Sequence, residues 1–197
     1  MKEFNDVYRT NAWNGVESLS GPGSGSIPTT HLRQLLVWLV ADLDIRTVID
    51  AACGDGYWMP DLPGYVGLDV APEAIRLARL RNPHRTYLIG NVATIPLPRA
   101  DLVIIRDAIQ HMSLADGLAA LASIRRSRSR YLLASTYVGG ENVNIETGAD
   151  AYSPDLTAPP FSLPFPNALF FDGWTYHDAT EIRDPRKHLG LWDLTRP

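Results

Sequence analysis

The sequence predicts an α/β fold, a mostly parallel sheet with helices on both faces and an antiparallel closing strand. Three observations carry this. Short apolar runs alternate with helical patterns from residue 47 to residue 136, the spacing of β–α units. The run at 101–106 holds Leu102-Val103-Ile104-Ile105 without a polar interruption, as a strand buried on both faces requires. After residue 139 the alternation stops, and a polar and then proline-rich stretch separates it from a last apolar run at 189–194. That last run suits an antiparallel strand closing the sheet.

The elements follow in order. Residues 1–28 read as irregular and end in a Gly/Ser/Pro tract, SLSGPGSGSIP, whose composition is that of a linker. Thr29 or Thr30 is placed to cap a helix over roughly 31–43, with Leu32, Leu35, Leu36, Leu39 and Val40 on one face. Strands are expected at 47–52, 65–69, 87–90, 101–106 and 131–136. Helices are expected at 71–81, where Pro72 takes an early position, and at 113–126. In 139–167, Pro154, Pro159, Pro160, Pro164 and Pro166 forbid a regular helix. Interleaved aromatics (Tyr152, Phe161, Phe165, Phe170, Phe171 and Trp174) favour an ordered, packed excursion over a disordered loop.

Composition narrows the class. At 197 residues the chain is expected to form a single domain, 1–197. With 45% hydrophobic and 20% charged residues and a net charge of −4, it has the profile of a globular protein and no electrostatic footprint for nucleic acid. Arg125, Arg126, Arg128 and Arg130 cluster where a helix ends, a position that suits its C-terminal dipole. One cysteine, Cys53, excludes an internal disulfide framework, and the five histidines lack metal-ligand spacing. The N-terminus has no apolar signal-like region, and the greasiest stretch, within 35–43, is too short to span a membrane. A cytoplasmic protein with neither nucleic-acid nor membrane partners is the expectation; the oligomeric state stays open.

The first strand runs into a turn, Asp50-Ala51-Ala52-Cys53-Gly54-Asp55-Gly56, whose small residues let a ligand approach the backbone. A dinucleotide fingerprint is excluded because Met59 stands where its third glycine belongs. Asp50 suits a cationic ligand instead. Asp69, fifteen residues beyond Gly54, ends the second strand where a carboxylate can accept both hydroxyls of a ribose, and Val70 offers an apolar wall. Taken singly, Asp50 and Asp69 also fit helix caps and Asn91 a turn. Together, Asp50 through Gly56, Asp69, the Gly90-Asn91-Val92 strand end and the Ile95-Pro96-Leu97-Pro98 loop resemble the class I S-adenosylmethionine-dependent methyltransferases over residues 46–136. The resemblance implies a Rossmann-like fold and S-adenosyl-L-methionine as cofactor. It implies cofactor contacts from Asp50, Ala52, Gly54, Gly56, Trp58, Asp69, Val70, Asn91, Val92 and Arg106. Ala52 departs from the more usual glycine, and Asn91 from the more usual aspartate.

Methyl transfer needs a positioned nucleophile, a dry site and sometimes a base. Beyond the fourth strand, Asp107 and His111 would share a face at i, i+4 if a helix began near Asp107, with His111 as base and Asp107 orienting it. The plainer alternative is a cap and a half-buried polar residue. The chain also resembles a bacterial group of small-molecule methyltransferase-like proteins in Trp13 through Ser24, in Arg106-Asp107 with His111, in Pro160 through Pro164 and in Leu189-Gly190-Leu191-Trp192. Asn14, inserted before Gly15, is a departure. On that resemblance 1–28 becomes a lid, with Ser18 and Ser20 holding the methionine carboxylate, and 139–176 a substrate-side excursion. Trp13, Glu17 and Tyr137 are the candidate substrate contacts, with His177 a further polar candidate, and Trp13, Trp58 and Tyr137 could face the sulfonium. The leading expectation is methyl transfer to an O or N nucleophile of a small molecule. Two alternatives are an enzyme that cyclises or cleaves its own cofactor and a non-catalytic cofactor-binding interaction protein.

Overall fold

The computed structural model describes residues 2–177 and 180–195, and of Lys2, 174–177 and 180–183 the backbone alone. The elements are α1 (Lys2–Thr10), α2 (Ser26–Asp42), β1 (Val48–Ala51), β2 (Tyr65–Asp69), α3 (Pro72–Arg81), β3 (Thr86–Ile89), β4 (Leu102–Ile105), α4 (Leu114–Arg126), β5 (Tyr131–Tyr137), β6 (Ala168–Phe171), β7 (Trp174–His177), β8 (Thr180–Arg183) and β9 (Lys187–Asp193). Seven strands form one sheet in the order β3-β2-β1-β4-β5-β9-β6. The first five are parallel, whereas β9 runs antiparallel to β5 and to β6. This is the predicted Rossmann-like sheet with its antiparallel closing strand.

Alternation along the strands sorts the core into two layers. Val48, Leu102, Ile104 and Leu133 point to the face covered by Leu32, Leu36 and Leu39 of α2 and Ile75 and Ala78 of α3. Ile49, Val103, Ile105, Leu132 and Ala134 point to the other, covered by Ala120, Leu121 and Ile124 of α4 and by Leu156, Phe161 and Leu163 of the excursion. The continuous apolar run of β4 therefore has a partner layer on each side.

Two N-terminal expectations are corrected. Residues 2–10 are helical rather than irregular. Phe4, Val7 and Tyr8 give a short i, i+3, i+4 stripe, and nine residues hold as a helix because Phe4 and Tyr8 pack on Ala71, just before α3, and on Ala74 and Leu77 of α3. The Asn5 side chain also accepts from the Glu73 backbone N–H (2.9 Å) in the first turn of α3. α2 begins at Ser26 and not beyond Thr29 or Thr30; both threonines lie inside it, bonding back to the carbonyls of Gly25 (2.7 Å) and Ser26 (2.8 Å). Pro28 fits because the first helical turn needs no donor there.

The excursion after β5 is tied down by polar clamps. The Asn142 amide donates to the carbonyls of Asp155 (2.9 Å) and Pro159 (2.8 Å), and the Asp155 carboxylate accepts from the backbone of Gly139 and Thr157 (2.9 Å each). Phe161 is buried, while Phe165 is exposed and packs on little. Among the described residues no helix is long and apolar enough to cross a membrane.

Candidate active site

Strand order reverses between β1 and β4, and at such a switch point the loops leave the sheet in opposite directions and open a crevice at the carboxyl ends. A cavity of about 460 Å³ lies there. Its walls are the turn Ala52–Cys53–Gly54 after β1, Asp69 and Val70 after β2, and Arg106 through Ala108 with Gln110 and His111 after β4. Tyr137 at the end of β5 and Lys187 at the start of β9 complete the floor.

The turn is closed from above by the N-terminal segment. A Cβ on Gly54 (φ 59°) would meet the hydroxyl oxygens of Ser20 at 2.2 Å and of Tyr8 at 2.9 Å. Ala52 holds φ 91°, a conformation that costs an L-residue about 1–2 kcal/mol, so the alanine carries strain a glycine would not. The anion that the 18–20 segment cradles is a protein carboxylate: Asp55 accepts from the Ser18 hydroxyl (2.8 Å) and the Leu19 N–H (2.9 Å), and Arg81 lies 3.3 Å away. Ser18 is thereby turned away from the cavity, whereas Ser20 lines it.

Asp69 accepts from the N–H groups of Gly54 and Ala71, 2.9 Å each, which fixes both oxygens while leaving each a lone pair. Burial raises its pKa, and the backbone bonds oppose that shift. Asp50 is not among the cavity-lining residues. It sits behind the turn, 2% exposed, accepting from the Tyr65 hydroxyl (2.9 Å). Burial pushes its pKa up to about 7, so near neutrality it is only partly ionised. Between pH 4 and 7 the folded protein keeps a proton that the unfolded chain releases, and stability falls as pH rises through that window. Asp50→Asn is expected to flatten the fall, read from urea midpoints at pH 5 and pH 8.

Asp107 and His111 both line the cavity but do not share a helix face. Asp107 takes φ 52° and His111 ends a separate 3₁₀ turn, Ile109–His111, because the chain bends before α4 starts at Leu114. Burial alone would raise the Asp107 pKa. Arg106 at 3.3 Å and Lys187 at 2.9 Å instead hold it well below the usual carboxylate range. Asp107 is thus an ion-pair partner with no basicity to offer. His111 is oriented by the backbone: its Nδ1–H donates to the Asp150 carbonyl (2.8 Å). Burial lowers its pKa, keeping the ring neutral, and leaves Nε2 as an acceptor. The Gln110 amide nitrogen lies 3.3 Å from that Nε2, while its carbonyl oxygen accepts from the Tyr137 hydroxyl (3.1 Å). Trp13 stacks on the His111 ring (centroids 5.1 Å apart, 32° between planes), and its indole N–H is buried without an acceptor among the described residues.

Beneath the cavity lies a group of buried charges that composition and spacing did not single out. Asp172, fully buried, accepts from Arg106 Nε (2.9 Å) and from a second guanidinium nitrogen (3.0 Å), and Lys187 stands 3.5 Å away. Arg106 also donates to the Gly23 carbonyl (3.2 Å) and lies 5.0 Å over the Trp58 ring. Lys187 reaches the site from the start of β9 and Asp172 from the turn after β6, far in sequence from any motif.

Of the remaining expected residues, Trp13, Trp58, Val70, Arg106 and Tyr137 line the cavity. Gly56, Asn91, Val92 and Glu17 do not. Gly56 packs on Tyr87 and α3; the Asn91 side chain accepts from the Ala93 N–H (2.8 Å) as a turn former; Val92 is in the core. Glu17 caps α2 through the Ser26 N–H (2.7 Å) and accepts from the Tyr57 hydroxyl (3.0 Å). The His177 side chain lies outside the described residues. Among the described residues no cluster of metal-ligating side chains occurs.

Comparison with known proteins places this arrangement in a class. Residues 48–129 match the family described as a methyltransferase domain. The chain is 34% identical over 83 residues to a malonyl-[acyl-carrier protein] O-methyltransferase of Serratia marcescens, an alignment covering 40% of this chain and 32% of that one. It thus spans about a third of the length of that curated relative. The fold is shared with magnesium protoporphyrin IX methyltransferase from Synechocystis PCC 6803. With SAH bound, that structure has TM-score 0.59 and 17% identity over 94% of this chain and 92% of the other. With SAM bound, it has TM-score 0.57 and 17% identity over 83% and 77%. The match over residues 48–129 is to a methyltransferase domain, the class to which the turn and Asp69 pointed.

Proposed function

We propose that the protein transfers the methyl group of S-adenosylmethionine to an O or N nucleophile of a small molecule. The carrying observation is that one cavity joins the adenosine-side groups, Ala52 to Gly54, Asp69 and Val70, to a neutral histidine. A cavity of about 460 Å³ suits a nucleoside–amino acid cofactor beside a small acceptor and not a folded macromolecule.

When bound, the cofactor supplies a methyl carbon whose bond to the sulfonium breaks, its electron pair staying on sulfur, as the acceptor's lone pair forms the new bond. Asp69 would hold the ribose and Val70 the adenine. His111 Nε2 would take the acceptor's proton, with the Asp150 carbonyl fixing its tautomer and steadying the imidazolium. Residues 1–28 would act as the lid and 139–176 as the acceptor-side wall, the latter through the backbone bonds of Gly148 and Tyr152 to the carbonyls of His111 (2.9 Å) and Gln110 (3.1 Å).

The test is calorimetric titration with S-adenosylhomocysteine, followed by assay of small-molecule acceptors for its release from S-adenosylmethionine. Saturable binding that Asp69→Ala weakens by about tenfold or more is expected. Methylthioadenosine formed without an acceptor would identify cofactor cleavage instead, and binding without turnover a non-catalytic protein.

A further inference from the structure

Between α2 and the end of α3, behind the cofactor turn, lies a second cavity of about 400 Å³, lined by Arg33, Tyr57, Met59, Arg81, His84 and Arg85 together with Asp61. We propose that it is a binding site for a phosphate dianion, free or as a phosphomonoester, separate from the cofactor cavity.

Arg85 is built into the floor. Its side chain is 7% exposed, it donates to the Met59 carbonyl (3.1 Å), and its guanidinium lies 5.2 Å over the Tyr65 ring. A cation held this rigidly presents its remaining N–H groups in one direction. An oxyanion already sits there: the Asp61 carboxylate, 82% exposed at the rim, accepts from Arg85 at 2.6 Å and lies 3.3 Å from His84 Nε2. The fork of Arg85 and His84 thus has the geometry to hold an oxyanion, and an exposed carboxylate is readily exchanged for a stronger one.

Charge fixes the class of ligand. Arg33, Arg81 and Arg85 face two carboxylates, Asp55 and Asp61. Arg33 has no hydrogen-bond or ion-pair partner among the described residues, and Arg81, stacked 4.7 Å over the Tyr57 ring, reaches Asp55 by a single contact of 3.3 Å. Asp55 is occupied by the 18–20 segment. With Asp61 exchanged off Arg85, three guanidinium groups face Asp55 alone, an excess of two positive charges that matches a phosphate dianion and exceeds what a monocarboxylate could neutralise.

The test is calorimetric titration with inorganic phosphate and with glycerol 3-phosphate, ionic strength held constant with sodium chloride. Saturable 1:1 binding is expected, weakened about tenfold by Arg33→Ala and again by His84→Ala. His84 is largely exposed and Arg33 makes no described polar contact, so both variants should melt like the parent protein without ligand. Tighter binding of glycerol 3-phosphate than of phosphate would assign an organic ligand, and equal binding the free ion. The proposal is overturned if no saturable heat is seen, if the variants bind as the parent does, or if S-adenosylhomocysteine competes the anion away. None of these outcomes depends on methyl transfer.

Discussion

Asp172→Ala is expected to lower the unfolding free energy by about 3–5 kcal/mol. Asp172 is the anion between two cations that are themselves 2% exposed, and it receives two bonds from Arg106. Without it, Arg106 and Lys187 share Asp107 alone, and one buried positive charge goes uncompensated in a medium that solvates it poorly. The cost comes from the stranded cation and not from a lost contact. Removing one of the cations as well should therefore give part of it back. The double variant Asp172→Ala with Lys187→Met should be less destabilised than the sum of the two single variants, a coupling of about 1–3 kcal/mol in urea titrations. A loss under 1 kcal/mol in Asp172→Ala, or strict additivity, would show that water reaches these charges.

The same network explains which parts of the molecule its sequence could reveal. β1, β4 and β5 are continuous buried runs and β2 and β9 largely buried ones, and the alternation of their residues between two layers leaves one consistent fold. The turn and Asp69 were legible because backbone approach demands small residues in a fixed order there. β6 was missed because its four residues are half exposed at the sheet edge, among prolines and aromatics that suit a loop equally well. α1 was missed because its helicity depends on α3, seventy residues away. Asp172 and Lys187 carried no local pattern, since their partners come from β4 across the sheet. Ser18 faces Asp55 and not the cavity for a related reason, whereas Ser20 does line the cavity. The segment does present N–H and O–H groups to an anion, but the sequence held an anion of its own, Asp55, in the turn it covers.

His111→Ala is expected to lower kcat about 10²- to 10⁴-fold for an acceptor that must lose a proton, with the affinity for S-adenosylhomocysteine nearly unchanged. The split follows from position: His111 belongs to the end of the cavity past β4, whereas Asp69, Val70 and the turn form the other wall. The pH profile gives a second reading. Burial lowers the His111 pKa, so the ring stays an unprotonated base down to a pH below its ordinary 6.5, and the rate should fall only as pH drops through that lowered value. This acidic limb should vanish in His111→Ala. Asp107 contributes no limb of its own, because Arg106 and Lys187 keep it ionised far below the pH range of the assay. Gln110→Ala separates proton transfer from positioning. It removes the amide that spans the Tyr137 hydroxyl and His111 Nε2 but leaves the Asp150 bond that sets the tautomer. If Nε2 is the base, Gln110→Ala should keep the acidic limb with a smaller loss of kcat. If the limb disappears with Gln110 as well, the proton leaves by the Tyr137 side and the assignment to His111 is wrong.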